Sequence, residues 1–326
     1  MLQLIGMNLV FFDIECASVN KNSAKICAFG YVVCDEQFNI IKKEDILVNP
    51  KGRFHLTDRK GDKGIVLPYS YDEFKKHPPF TSVYPFIKNL LEDENNIVLG
   101  HSIMNDIKYL NLETKRFKLP SFRLSFSDSQ LLYMCHINDF SRQFGLEYIA
   151  GALGVDFVPH RAVDDAYATM RIVEAMCRER GCGYKQLAEL YGVTNGKIKN
   201  YNITAPTSSG VRQYHKKINE EKMKRAAKRT AFFNFVSRRK CKKTGGFYGK
   251  TFTFSREIEE NTELAKTLVA KIYENGGRYS QHVSESDYYV TDGEDGSQRT
   301  QNAKKRENLT ITDTIGLEDL LDGAAR

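Results

Sequence analysis

A chain of 326 residues with 41% hydrophobic and 27% charged side chains is too long for one ordinary core and too apolar for disorder, so two folded bodies are expected. No apolar run approaches the ~20 residues of a membrane-spanning helix, which argues against a membrane protein. Seven cysteines, odd in number and mostly set in apolar runs, argue against a disulfide framework. Cys177 and Cys182 have no second cysteine pair or suitably spaced histidines beside them, which argues against a structural zinc site. Met1 to Val10 has no basic segment and runs directly into a strand-like stretch, so it does not read as an export signal, and the expected location is cytoplasmic.

The net charge of +7 is unevenly placed: −1 over residues 1–195, +14 over 196–250 and −6 over 251–326. A short polycation between neutral and acidic bodies is the footprint of a nucleic-acid partner.

In chain order, NLVFFDIE (Asn8 to Glu15) is β-branched and aromatic, which predicts a central strand buried on both faces. KICAFGYVVCD and FNIIKKEDILV predict two further strands joined by a tight turn, and Asp58 to Ser70 reads as a loop. After Pro79, TSVYPFIKNLLEDE has helical spacing, NIVLG is a short buried strand, and NDIKYLNLETKRF is an amphipathic helix. SFRLSFSDS alternates as a fifth strand, GLEYIAGALG is a short helix, and VDDAYATMRIVEAMCRER is a long one ended by Gly181. A meander followed by such units predicts an α/β layer with a mixed sheet, its first strand central beside the fourth. Tyr201 to Gly210 loses periodicity and reads as a linker. The expected division is therefore a first domain at 1–195, a basic linker and helix at 196–245, and a small α/β domain at 246–326.

Asp13 and Glu15 lie two apart at the end of an apolar strand, so both side chains emerge on one face. Two close carboxylates resist ionisation unless a cation joins them, and hard oxygen donors favour Mg²⁺ or Mn²⁺. A strand ending in solvent would account for the pair equally well. Asp106, at the mouth of a helix, could serve only as a favourable N-terminal charge. Asp165 lies five residues after His160, and helix capping by Asp164 or Asp165 is the alternative reading. The conjunction of all of these in one domain favours chemistry.

FFDIE, GHSIMND and HRAVDDAYAT resemble, in order, the three motifs of the DEDDh exonucleases, the group of polymerase proofreading subunits, RNase T and oligoribonuclease; the resemblance spans about residues 8 to 180. It implies an RNase H-like fold with a five-stranded mixed sheet. It also implies that Asp13, Glu15, Asp106 and Asp165 hold two Mg²⁺ or Mn²⁺ ions and that His160 is the general base. A nucleic-acid 3′ end is the implied substrate, with a DNA polymerase as an implied partner; the expectation of DNA, single-stranded above all, comes from the module that follows in the chain. Ser102 and Asn105 depart from the HNxxFD form of the second motif, and Cys16 stands where Thr is common after the glutamate.

Lys224, Arg225, Lys228, Arg229, Arg238, Arg239 and Lys240 are the densest part of the basic segment and suit a phosphate backbone; a solvated helix face is the alternative. Residues from about Gly246 to Leu321 resemble a BRCT domain, although the chain has no tryptophan where that family often has one. The resemblance makes Ser255 and Lys305 the candidate phosphate contacts, for a phosphorylated protein or a DNA 5′-phosphate. The expected function is a metal-dependent 3′→5′ exonuclease acting on DNA in repair or replication. A 3′ exoribonuclease and a non-catalytic scaffold binding nucleic acid or phosphopeptide are the alternatives.

Overall fold

The computed structural model describes residues 6–52, 67–156, 161–293 and 296–324. The chain divides into two compact units, residues 1–215 and 216–326.

The first unit contains strands β1 (Asn8–Asn20), β2 (Ser23–Cys34) and β3 (Ile40–Leu47), then helices α1 (Tyr71–Lys75) and α2 (Phe80–Glu92). Strand β4 (Asn96–Gly100), helix α3 (Met104–Arg116) and strand β5 (Leu124–Asp128) follow. Helices α4 (Ser129–Ile137), α5 (Leu146–Ala152), α6 (Ala162–Arg180) and α7 (Tyr184–Leu190) precede strands β6 (Gly196–Lys199) and β7 (Asn202–Thr204). The strands form one mixed sheet in the order β3-β2-β1-β4-β5-β6-β7. β1 pairs antiparallel with β2 and parallel with β4, and its apolar side chains enter cores on both faces. Val10 and Phe12 pack on one side with Ile87, Ile107 and Phe126. Leu9 and Phe11 pack on the other with Met170, Val173 and Met176 of α6. Burial of this two-sided kind explains why the strand reads as a continuous apolar run.

The sheet has seven strands rather than the expected five, and it continues past residue 195, where the sequence reading ended the first domain. Ile198 is buried while Lys197 and Lys199 face outward, so β6 does alternate, but over only four residues. The stretch expected as a linker, Tyr201 to Gly210, thus begins with β7 and ends inside the next helix, α8 (Ser209–Arg238). Helix α4 was also not expected, because the five consecutive residues Ser129 to Tyr133 are all buried and leave no apolar stripe to read. The loop expected at Asp58 to Ser70 lies largely outside the described residues.

The second unit comprises the greater part of α8, then β8 (Thr251–Phe254), α9 (Arg256–Glu260), α10 (Thr262–Glu274), β9 (Arg278–Tyr279), β10 (Tyr288–Val290), α11 (Gln298–Lys304), β11 (Thr310–Thr312) and α12 (Thr314–Ala324). Four parallel strands lie in the order β11-β10-β8-β9. Its core joins Phe252, Phe254, Leu268, Ile272 and Leu317 to Phe232 of α8, which is fully buried. The aromatic patch near the end of the basic helix is therefore a packing anchor.

Candidate active site

β4 ends at Gly100, and its pairing with β1 stops at Phe11 opposite Leu99. Beyond that point the amide of Ile14 has no strand partner on this side, and it donates to Oδ1 of Asp106 at 3.2 Å. Asp106 sits in the first turn of α3, 5% exposed, so this bond ties the helix to the strand that carries Asp13 and Glu15. The turn before α3 is held from the opposite side. Ser102 takes a left-handed backbone, φ 49°, its amide donates to Asp128, and its hydroxyl accepts from Gln130 at 2.7 Å. Ser102 thus has a structural use in the turn despite its departure from the family motif.

Asp165 arrives from a third direction, on the first turn of α6. One carboxylate oxygen from each of Asp13, Glu15 and Asp165 lies within 4.8 Å of the others. The approach depends on Gly30, which faces Asp13 across the β1–β2 ladder. A Cβ at Gly30 would stand 2.0 Å from the backbone carbon of Ala162, so the missing side chain is what lets the start of α6 rest on β2.

Burial and neighbouring charge raise the pKa of three of these carboxyls, those of Asp13, Glu15 and Asp106. Asp13 is pushed well above the usual carboxylate range by burial and then by the charges of Asp106, Asp165, Glu15 and Asp45. Glu15 is pushed up to about 8, by burial first and then by Asp165 and Asp45. Burial also raises Asp106, against the lowering effect of the amides of Asp106 and Ile14.

A model of the family described as "Exonuclease" (RNase_T) matches residues 10–173. The chain belongs to this exonuclease family. No curated protein matches it. Solved structures similar to it include one titled "3′-end specific recognition of histone mRNA stem-loop by 3′-exonuclease", at 16% identity and a TM-score of 0.48 over 63% of this chain and 71% of that one. Another is the nuclease domain of 3′hExo, a DEDDh family member, bound to rAMP, at 19% identity and a TM-score of 0.43 over 54% and 92%. A third is E. coli Exonuclease I in complex with a dA16 oligonucleotide, at 15% identity and a TM-score of 0.44 over 56% and 42%.

The donor set of the exonuclease domain fits a divalent cation. All four side chains offer hard carboxylate oxygens, and a positive charge among them would offset the burial and repulsion that raise Asp13, Glu15 and Asp106. A stability prediction follows for the metal-free protein. Glu15 titrates near its ordinary 4.5 when unfolded and near 8 when folded, so the folded state holds the extra proton between those values. Stability then falls as pH rises through that window. Thermal melts in EDTA should show Tm declining from about pH 5 to pH 8, by about 2–4 °C for each kcal/mol lost, with Mn²⁺ flattening the decline. A Tm in EDTA that rises or stays level across this range would contradict the carboxylate repulsion.

Two residues missed in the sequence reading stand at the rim. The side chain of Asp45 on β3 is 6% exposed and accepts from Arg161 Nε at 3.3 Å and from the Tyr69 hydroxyl at 3.4 Å, while its second oxygen has no hydrogen-bond partner among the described residues. Arg161 is the N-cap residue of α6, so this ion pair braces the start of the helix carrying Asp165 against β3. Asp45 belongs to none of the three motifs, and Arg161, although inside HRAVDDAYAT, has no role that the sequence alone assigns; the pairing of a strand with a helix start far along the chain reveals both.

His160 lies outside the described residues. Lys224, Arg225, Lys228 and Arg229 are exposed along α8. Arg238 ends that helix, and Arg239 and Lys240 follow it, Arg239 stacked 4.8 Å from the ring centre of Phe235 and 3.9 Å from Glu274. Ser255 is fully buried and caps α9 by accepting from the amide of Ile258, whereas Lys305 is exposed on the wall of a cleft with His282 and Arg306. Ser255 does not line that cleft.

Proposed function

We propose that this chain is a 3′→5′ exonuclease that hydrolyses DNA from its 3′ end and releases nucleoside 5′-monophosphates. The observation that carries the reading is the convergence of Asp13, Glu15 and Asp165, with Asp106 bonded to the same strand, inside a domain matched by the exonuclease family. These four carboxylates would hold two Mg²⁺ or Mn²⁺ ions, which when bound would polarise the scissile phosphate and lower the pKa of water. Asp13 and Glu15 position their oxygens on a rigid central strand, and Asp106 is oriented by the Ile14 amide. His160 accepts the proton of the attacking water, a task suited to an imidazole with an ordinary pKa near ~6.5.

Nucleic-acid binding draws on the +14 segment, whose cations attract phosphate without reference to sequence. The succession of strands and helices in residues 246–326 supports the BRCT-like reading of the second unit, and DNA repair or replication-linked trimming is the setting we infer from it.

Digestion of matched 3′- and 5′-labelled DNA and RNA oligonucleotides with Mg²⁺, Mn²⁺ or EDTA tests the proposal. Metal-dependent shortening of 5′-labelled DNA in single-nucleotide steps is expected. His160→Ala should retain binding yet slow cleavage by ~10²–10⁴-fold. Release of the 5′ nucleotide first would reject the direction, RNA-only digestion would reject the substrate, and full activity of His160→Ala would reject the base.

A further inference from the structure

Helix α8 carries its charges in two ways. Arg225, Lys228, Arg229 and Phe232 are spaced so that they share one face. Phe232 is fully buried in the second unit, edge-on to Tyr279 with ring centres 5.2 Å apart. The same face, one and two turns earlier, therefore presents three cations toward the small domain. There they meet α9, and a cleft of about 480 Å³ opens between the two helices, lined by Arg225, Lys228 and Arg229 on one side and by Arg256, Glu259 and Glu260 on the other. All of these residues belong to the second unit.

The charges in the cleft are not balanced. None of its four cations makes an ion pair among the described residues, and Arg229 only lies over the Phe233 ring at 5.3 Å. Glu259 is already committed, since Arg299 holds its carboxylate at 2.6 Å and the Tyr279 hydroxyl bonds to the same oxygen. Glu260 alone remains to oppose four positive charges. Like charges gathered around a walled space repel one another, and the packing of Phe232 prevents α8 from withdrawing; an anionic occupant relieves that repulsion.

We propose that this cleft binds phosphate groups of a nucleic-acid strand, with Arg256 completing a site that α8 only begins. A polymer of phosphates fits better than a single phosphorylated side chain. The helix extends 30 residues, about 45 Å, with further lysines at 216, 217, 222 and 224 before the cleft and a basic run after the helix end. The volume also exceeds what one phosphate fills and lies in the usual range for small-ligand sites. The choice of nucleic acid as ligand rests on the proposed nuclease function, while the cleft and its charge do not.

The test is fluorescence anisotropy of labelled DNA with the full-length protein in EDTA, so that binding is read without hydrolysis and independently of whether the chain is a nuclease. Arg256→Glu and Arg225→Glu should each weaken binding by about tenfold near 0.1 M salt, and Arg256→Gln should lower the log K against log salt slope by about 1. Arg278→Glu, an equal charge change at an exposed residue of β9 outside the cleft, should leave affinity unchanged. Equal affinity for 5′-phosphorylated and 5′-hydroxyl strands would mark backbone phosphate as the ligand; preference for the former would mark the terminal phosphate, and both support the site. Parent-like affinity and slope for Arg256→Gln, with α8 substitutions still harmful, would show an open helix face and overturn the proposal. Binding of a phosphoserine peptide in place of DNA would also overturn it.

Discussion

Asp13→Asn is expected to lower metal-dependent hydrolysis by ~10³-fold or more while raising the Tm of the metal-free protein. The first effect follows from the position of Asp13 at the meeting point of the site, within reach of both Glu15 and Asp165. Losing one preorganised charge at such a centre costs ~10²–10³-fold by itself, and weaker binding of the cation that the proposed site would hold adds to that. The second effect has the opposite sign because Asp13 is strained electrostatically when no cation is present: burial, then Asp106, Asp165, Glu15 and Asp45, all oppose its charge. An amide keeps the shape and removes the repulsion. Melts in EDTA and in Mn²⁺, run beside a timed oligonucleotide digestion, check both. The variant should also lose most of the Tm increase that Mn²⁺ gives the parent. Parent-like activity, or a metal-free Tm well below the parent's, would remove Asp13 from the centre of the site.

Gly30→Ala is expected to be nearly as damaging to activity, although glycine has no chemistry. A single methyl group at this position would meet Ala162 carbon and Val163 nitrogen at 2.0 Å, and both are backbone atoms that cannot rotate aside. The start of α6 must then move off β2, and Asp165 moves with it. Overpacking of this kind costs ~1–3 kcal/mol, and a displacement of about 1 Å at reacting groups costs ~10²-fold in rate. Gly151→Ala is the matched control, because a Cβ there meets nothing within 4 Å and the residue lies inside helix α5. Tm and turnover should fall for Gly30→Ala only. Unchanged turnover in that variant would mean that α6 does not depend on this contact for its position.

Most of the first domain was legible because its long elements carry strong periodic signals. β1, β4, α2, α3 and α6 fall on the segments the sequence indicated, and β1 lies beside β4 at the centre of the sheet. The short elements were not legible. β6 and β7, at four and three residues, offer too few positions for an alternation to be seen, and α4 is buried around its circumference. In the second unit, the BRCT resemblance made Ser255 a candidate phosphate contact. Its hydroxyl instead satisfies the amide of Ile258 at the start of a helix only five residues long.

The identity of the acids and their order along the chain are readable from the residues alone, because a polar group at the end of an apolar run is visible without knowing its neighbours; so is the place of the positive charge. That Asp106 meets the Ile14 amide, that Gly30 admits α6, that Asp45 and Arg161 brace its start, and that Arg256 faces α8 became visible in the folded chain. Each of these joins segments many residues apart, and a contact of that kind arises from the packing of whole elements, which local propensity does not encode.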